Sequence, residues 1–422
     1  MQEQRINDFP VASPARTVIF MNTAQPWDRI QRHALLPVAS HDEAARFGVI
    51  ANLNAFLAQR VAPTVQSAFE GRGKQGFRVR HGKDPVDRHD VAEAMGRDPA
   101  YRAWSALRRN TMEMRQQAGR SLVLRQAREL MERARALNAG TSRLRLDPEL
   151  EAPRYVASID AHLMPGGYLG EQFTGDVSNA ASYDAGFFAT VGGSGGPLND
   201  AAGRALVAWL RAEHPQFEPR RIVDLGAGLG HNTLPLRAAF PDAEVIAIDV
   251  SAPMLRYGHA RARSLGVDDV DFWQQDATRT SLTASSCDLV FSTMVLHETS
   301  QEALPRLFAE AKRLLSPAGL TIHLEQPPYR GMPAFEQFMR DWDGRYNNEP
   351  FWTALHETSL PDLLARTGFA PDRIFESRCV AGRAAVPGAT PVAGDFGRAP
   401  DWYAVGAWQT AQGCAVIGEH GT

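Results

Sequence analysis

Arg221-Ile222-Val223-Asp224-Leu225-Gly226-Ala227-Gly228-Leu229-Gly230 is the stretch that decides the fold. A β-branched run ends in alternating glycines, and a helical pattern begins. Glycine permits the sharp turn, and the missing Cβ lets a ligand approach the backbone. The helix start beyond offers unpaired N–H groups to a polar ligand. A glycine-rich turn alone is a weak signal. The dinucleotide fingerprint needs G-x-G-x-x-G, with glycine at 231, where His231 stands; the spacing here is G-x-G-x-G. Asp224, inside the strand just before the loop, disfavours a pyrophosphate and suits a cationic ligand.

Working outward, strands and helices alternate. Helix 200–213 precedes strand 221–225; helix 232–240, strand 244–249, helix 253–265, strands 271–275 and 287–293, helix 301–315 and strand 320–325 follow. Such succession predicts an α/β fold with a mostly parallel sheet covered by helices on both faces. Two further strands, 372–380 and 402–409, joined by a Gly/Pro/Ala-rich loop, suit an antiparallel hairpin closing one edge.

Within that frame, Asp224-Leu225-Gly226-Ala227-Gly228-Leu229-Gly230 resembles the first motif of class I S-adenosylmethionine-dependent methyltransferases. The resemblance implies a Rossmann-like domain, S-adenosyl-L-methionine as cofactor and S-adenosyl-L-homocysteine as product. It places Asp224, Gly226, Gly228 and Gly230 at the cofactor. Asp249 stands where the family puts the carboxylate that holds both ribose hydroxyls. Met254, in Ser251-Ala252-Pro253-Met254-Leu255, falls against the adenine face, and Gln275-Asp276-Ala277 resembles the third motif, with Asp276 accepting from the adenine amino group. Cys287 to His297 resembles the fourth strand and its end, which includes Thr293, and Pro317-Ala318-Gly319-Leu320 resembles the turn before the fifth. The likeness is firm over about 200–325 and loose over 360–410. It is nearest to the small-molecule branch typified by ubiquinone and menaquinone C-methyltransferases. The first 190 residues lie outside it, so the acceptor is less determined than the cofactor.

His297 lies at the C-terminal end of strand 287–293, where open α/β sheets bind ligands. A histidine titrates near neutrality and is a candidate base for a hydroxyl or an acidic carbon; a hydrogen-bonded structural role is the alternative. Glu325, ending the next strand, either orients His297 or meets the substrate. The 329–352 stretch mixes aromatic and polar residues, and Tyr329, Trp342, Tyr346 and Trp352 are candidates for a substrate wall, or for a helix packed on the sheet. The segment 166–196, with Tyr168, Tyr183, Asp184, Phe187 and Phe188, is placed to close over the cofactor. Gln326-Pro327-Pro328-Tyr329 resembles the Asn/Asp-Pro-Pro-Tyr of amino-methylating enzymes, but it follows the fifth strand and carries glutamine. His231 and His259 are read as surface or supporting residues. No metal site is expected: His297-Glu298 and His356-Glu357 are adjacent pairs, and adjacent residues on a helix do not face each other.

The chain has 422 residues, enough for two or three domains, and its 44% hydrophobic and 22% charged residues describe a globular protein. Residues 1–145 read as a helical module, 146–197 as a linker that covers the cofactor, and 198–422 as the methyltransferase domain with a lid at about 327–360. Helices are expected at 42–67, 87–116 (with a break at Asp98-Pro99) and 119–138, an irregular arm before residue 40, and a basic turn-rich stretch at 71–85. Residues 1–145 carry 24 Lys plus Arg against 14 Asp plus Glu (+10), and the remainder 21 against 34 (−13). This split marks either a nucleic-acid-binding segment or two parts that attract each other. Cys287, Cys379 and Cys414 make neither a disulfide framework nor a zinc site, no apolar run reaches the ~18 residues of a membrane span, and no secretory signal pattern opens the chain. These readings point to the cytoplasm, no membrane, and no nucleic-acid partner, since no RRM core or GXXG loop is present. The favoured function is direct methyl displacement onto a small organic molecule. In that reading the helical module shapes the pocket or a homodimer interface. The alternatives are an RNA-modifying enzyme that uses the basic module, and a non-catalytic S-adenosylmethionine-binding protein.

Overall fold

Among the described residues, eight strands form one sheet: β1 (Leu144–Arg145), β2 (Arg221–Leu225), β3 (Glu244–Asp249), β4 (Val270–Gln274), β5 (Cys287–Thr293), β6 (Leu315–Glu325), β7 (Ile374–Val380) and β8 (Asp401–Trp408). The computed structural model describes residues 26–380 and 401–410. The arm before residue 26, the 381–400 loop and Cys414 lie outside the described residues. Strand order is β1-β4-β3-β2-β5-β6-β8-β7, with β1 to β6 parallel and β8 antiparallel to both β6 and β7. The antiparallel strand therefore sits one place in from the edge, and β7 closes it. The chain runs β2, β3, β4 to one side and returns to β5 on the other. This creates a switch point beside β2, where the carboxyl ends open a crevice.

The parallel strands are buried on both faces, which is why they read as continuous apolar runs. One core lies beneath helices Ala201–Glu213 and Ala252–Ser264 and contains Leu206, Ile222, Val245, Phe272 and Ile322. The other contains Val223, Ile248, Val290, Leu307 and Phe308 beneath helix Leu304–Leu314. β6 starts five residues earlier than expected and absorbs Pro317-Ala318-Gly319 in an irregularity where Ala318 has φ +61.

In the N-terminal third the helix breaks at Asp98-Pro99 as expected, with Asp98 as cap, but helix Pro99–Leu124 runs through the boundary expected at 116–119 and the next helix starts at Ala127. The 71–85 stretch differs from expectation. Helix continues to His81 through π-type turns at Leu57–Val61 and Phe69–Gly73 and stops at Gly82, whose φ is +68. Packing explains it: Phe77 is buried, and Gly73 lies close against the Met95 sulfur, so burial outweighs the weak helix propensity of glycine.

The N-terminal helices do not form a separate core. Leu57, Val65, Phe69, Met95 and Trp104 pack with Phe335, Phe338, Met339 and Trp342 of helix Ala334–Tyr346. β1 adds a strand beside β4. Arginines of the basic third meet acids of the acidic remainder: Arg88 with Asp341 at 2.8 Å, Arg108 with Asp343 at 2.9 Å and Arg143 with Asp271 at 2.9 Å. Of the two explanations for the charge split, attraction between parts of the chain is the one these contacts embody. No helix among the described residues is long and apolar enough to cross a membrane.

Candidate active site

The glycine loop opens the crevice at the carboxyl ends of β2 and β3. Gly226, Gly228 and Gly230 have φ of +76, +53 and +69. The N–H groups of Gly226 and Ala227 donate to the Ile248 carbonyl at 2.8 and 2.9 Å, pinning the loop to β3. Asp249 ends β3. Its Oδ2 accepts from Gly228 N at 2.8 Å and its Oδ1 from Ser251 N at 2.8 Å. A carboxylate offers about four lone-pair sites, so acceptor capacity remains on both oxygens. Burial raises the pKa of Asp249, and the backbone N–H groups of Ser251, Gly228 and Val250 work against it.

Gly226, Ala227, Gly228, Asp249, Met254, Asp276, Ala277, Thr293 and His297 all line one cavity of about 340 Å³, within the range of small-molecule sites. Four stretches of sequence, 226–228, 249–254, 276–277 and 293–297, are thereby brought to one place. Thr293 is fixed by a 2.8 Å bond from Asn232, and Asp276 holds its own turn through Thr278 N at 2.8 Å.

Two cofactor candidates do not line the cavity. Asp224 lies beneath the loop, where its Oδ2 accepts from Thr233 Oγ1 at 2.6 Å and its Oδ1 has no hydrogen-bond partner. Burial pushes its carboxyl up to about 7; the Thr233 bond opposes this, and the nearby Asp249 charge adds to it. Gly230 serves packing, since a Cβ there would stand 3.0 Å from the Phe272 ring.

The opposite wall comes from the segment before the sheet. Tyr155, His162, Tyr168, Tyr183 and Phe187 line it. The Ser251 hydroxyl donates to the Tyr168 carbonyl at 2.7 Å, which locks this segment over the start of helix Ala252–Ser264. Asp184 faces away from the cavity. It accepts from Tyr257 at 2.8 Å and from the His33 and His231 rings at 3.1 and 2.9 Å. His231 is buried and lines the cavity, so it is not a surface residue; His259 is buried against Asn138 Oδ1 at 2.7 Å.

His297 sits in a 3-10 turn, Leu296–Glu298, just past β5. Glu325 does not reach the cavity; it holds this turn. One oxygen accepts from Leu296 N at 3.0 Å, and the other from Gln326 N at 2.7 Å and from the His297 ring Nδ1 at 2.8 Å. Of the two roles expected for Glu325, the structure displays orientation. Burial lowers the His297 pKa, but the carboxylates of Glu325, Glu349 and Glu298 outweigh it and hold the imidazole at about 9. It is therefore protonated at neutral pH. The near-neutral titration expected of a free histidine gives way to a caged imidazolium.

Two residues that sequence reasoning missed complete the polar end. His162 bridges Glu298 at 3.2 Å and Glu349 at 2.9 Å, and Tyr168 donates to Glu298 at 3.0 Å. On a helix His297 and Glu298 would point apart, but they stand in a 3-10 turn. In the observed turn both side chains line the cavity, with His297 Nε2 3.9 Å from Glu298 Oε1.

None of the four substrate candidates lines the cavity. Tyr329 stacks on His356 at 4.6 Å and donates to Asp341 at 2.5 Å. Trp342 is fully buried against the N-terminal helices, and Tyr346 is exposed beyond it. Trp352 packs edge-on against His297 at 5.1 Å, supporting the turn from behind. The aromatic residues at helical spacing are thus the core of a packed helix. Gln326 does line the cavity, as the residue leaving β6.

Residues 222–319 match the family described as "Methyltransferase domain". The chain is 39% identical over 122 residues to malonyl-[acyl-carrier protein] O-methyltransferase of Methylococcus capsulatus, covering 29% of this chain and 42% of that one. It is 38% identical over 136 residues to trans-aconitate 2-methyltransferase of Methylobacterium radiotolerans, covering 30% and 48%. The chain thus spans less than half the length of these curated relatives. The solved structure of Haemonchus contortus phosphoethanolamine N-methyltransferase 2 with S-adenosyl-L-methionine aligns at a TM-score of 0.36 and 18% identity, over 49% of this chain and 52% of that one. The glycine loop and the carboxylate ending β3 both fall inside residues 222–319, the span that is similar to the methyltransferase domain family.

Proposed function

We propose that the protein transfers a methyl group from S-adenosylmethionine to a small organic acceptor bound between the sheet and the segment containing His162 and Tyr168. One observation carries this reading. The Asp249 carboxylate stands at the cavity wall, tied to Gly228 N and Ser251 N, with acceptor capacity to spare on both oxygens. That chemistry suits a vicinal diol, such as the ribose of the cofactor. Asp276 and Ala277 then face the adenine edge and Met254 its ring, while Gly226 and Gly228 let the remainder approach the loop.

The cofactor supplies a methyl group activated on a sulfonium. The rest of the task is alignment, which supplies ~7–11 kcal/mol in well-oriented reactions. Tyr168, His297 and Glu298 can orient an acceptor by hydrogen bonds, and Tyr183 and Phe187 exclude water beside it. The basic third is engaged in the Arg88, Arg108 and Arg143 pairs described above, which favours a small acceptor over a polyanion. The relatives' printed names cover a carrier-bound malonyl group and trans-aconitate, so they agree on methyl transfer and differ in the acceptor.

Calorimetry with S-adenosylhomocysteine tests the reading, using wild type and Asp249→Asn. An asparagine keeps the size but places an NH2 against either Gly228 N–H or Ser251 N–H, and it loses charge-assisted bonds worth ~1.5–3 kcal/mol each. Affinity should fall by about 10²-fold or more. Wild-type affinity in a folded Asp249→Asn protein, or no binding by wild type, overturns the assignment.

A further inference from the structure

We propose that His162, His297, Glu298 and Glu349 form a binding site for one divalent first-row transition-metal ion at the acceptor end of the cavity. Three separate segments supply these side chains, and they converge closely. His162 presents Nε2 to Glu298 Oε1 at 3.2 Å and Nδ1 to Glu349 Oε1 at 2.9 Å, while His297 Nε2 lies 3.9 Å from Glu298 Oε1 and 3.7 Å from Glu349 Oε2. One ligand atom each from His162, Glu298 and Glu349 falls within 4.8 Å of the others. Ligands around one ion at ~2.0–2.2 Å stand roughly 3–3.5 Å apart, so the set closes on a metal once one His162 nitrogen exchanges its carboxylate contact for the ion.

Three independent features favour an ion over a self-contained hydrogen-bond network. Glu349 is only 2% exposed, yet its Oε2 has no hydrogen-bond partner and faces His297 Nε2. A buried carboxylate oxygen without a hydrogen bond is costly, and an ion set between it and His297 Nε2 removes that cost. Next, the other ring nitrogen of His297 is held by Glu325 at 2.8 Å, and Glu325 is itself fixed by backbone N–H groups. This is the carboxylate–imidazole arrangement that orients metal-binding histidines. Finally, His162 keeps φ at +54, an unfavourable backbone for a residue with a Cβ, and this conformation accompanies an imidazole set between two carboxylates.

Two imidazoles and two carboxylates select manganese(II), iron(II) or zinc(II) over the all-oxygen preference of calcium and the thiolate preference of copper(I). His162, His297 and Glu298 line the same cavity as Gly228 and Asp249. An ion here would take an oxygen of the acceptor as a further ligand and position it. That last role rests on the methyltransferase reading; the metal site itself does not.

The test uses the untagged full chain, stripped with EDTA and desalted, then titrated separately with zinc(II) and manganese(II) by calorimetry. Wild type should bind close to one equivalent of at least one of the two ions. Glu349→Gln and His162→Asn, the latter tolerant of the positive φ, should each weaken binding at least 10-fold. Glu325→Gln should weaken it by about 10–100-fold through His297. His356→Gln, which carries a histidine change outside the cluster, should leave it unchanged. S-adenosylhomocysteine affinity, measured on the same samples, reports folding and keeps the two claims separate. The metal site is overturned if stripped, folded wild type binds neither ion near one equivalent. It is equally overturned if Glu349→Gln and His162→Asn bind as wild type does. Metal binding that persists without S-adenosylhomocysteine binding upholds the site and counts against the methyltransferase reading.

Discussion

Alanine at each of the loop glycines separates geometry from ligand binding. At Gly226 an added Cβ would stand 2.7 and 2.8 Å from the two Val295 methyls, and at Gly230 it would stand 3.0 Å from two Phe272 ring atoms. At Gly228 it would meet no protein atom within 4 Å. All three have positive φ, but +53 at Gly228 lies in the left-handed basin, where an alanine costs about 1–2 kcal/mol. Gly228→Ala should therefore fold, with Tm lower by roughly 2–8 °C at ~2–4 °C per kcal/mol. Because Gly228 forms cavity wall beside Asp249, the new methyl takes ligand space. S-adenosylhomocysteine affinity should drop at least ~10-fold, or about 1.4 kcal/mol. Gly226→Ala adds a clash with Val295 to the backbone strain and should lose much more stability. Melting curves and calorimetry on the variants side by side give the answer. A Gly228→Ala protein that binds like wild type refutes the loop's place at the cofactor. One that melts as low as Gly226→Ala refutes the open space assigned to that methyl.

Asp224 makes stability fall with rising pH. Its folded carboxyl is raised to about 7 from 3.8, so its contribution is complete below about pH 3.8 and is lost as pH passes about 7. Asp224→Asn should remove that slope between pH 4 and 8, and parallel melting profiles for the two proteins would refute it. His297, caged by carboxylates, should titrate near 9 in the metal-free protein when followed by NMR of its ring protons, and Glu325→Gln should lower that value. Raised above its ordinary 6.5, it contributes stability below about pH 6.5 that disappears as pH rises through about 9. Titration near 6.5 in the folded protein would refute the cage. Trp342→Ala removes a fully buried ring and its 2.8 Å bond to Ser105, and should cost about 3–5 kcal/mol in chemical unfolding. A loss under about 1 kcal/mol would show that helix Ala334–Tyr346 is not anchored on the N-terminal helices.

The glycine-loop half of the cavity was legible because its signals are local. β2, β3 and β5 run between the residues the sequence suggests, since each is an apolar run ended by a turn or by a polar residue. Ser251 caps helix Ala252–Ser264, with Pro253 in its first turn. The polar end was not legible, for physical reasons. His162 and Glu349 stand in irregular segments 187 positions apart, and no period links them. Glu298 was set aside because adjacency excludes convergence on a helix, whereas here a short 3-10 turn presents both neighbours to the cavity. Trp342 and its neighbours announce a buried face, but spacing alone says nothing of what lies against it.

The division between legible and illegible residues follows the division of the site. The family match spans 222–319 and takes in Gly226, Gly228, Asp249, Met254, Asp276 and Thr293. Of the cavity's other walls, Tyr155, His162, Tyr168, Tyr183 and Phe187 precede that span and Gln326 follows it. Glu349, which completes the polar cluster, also lies outside it. These outer segments are not appended to a finished domain. The Ser251–Tyr168 bond, the His162 bridge and the core shared by helix Ala334–Tyr346 and the N-terminal helices fix them to it. A change of acceptor among relatives is therefore expected to reside in these segments, while the loop and the Asp249 carboxylate stay the same. That is why names drawn from matches of 42–48% of a relative's length speak to methyl transfer and leave the segments around His162 and Glu349 undescribed.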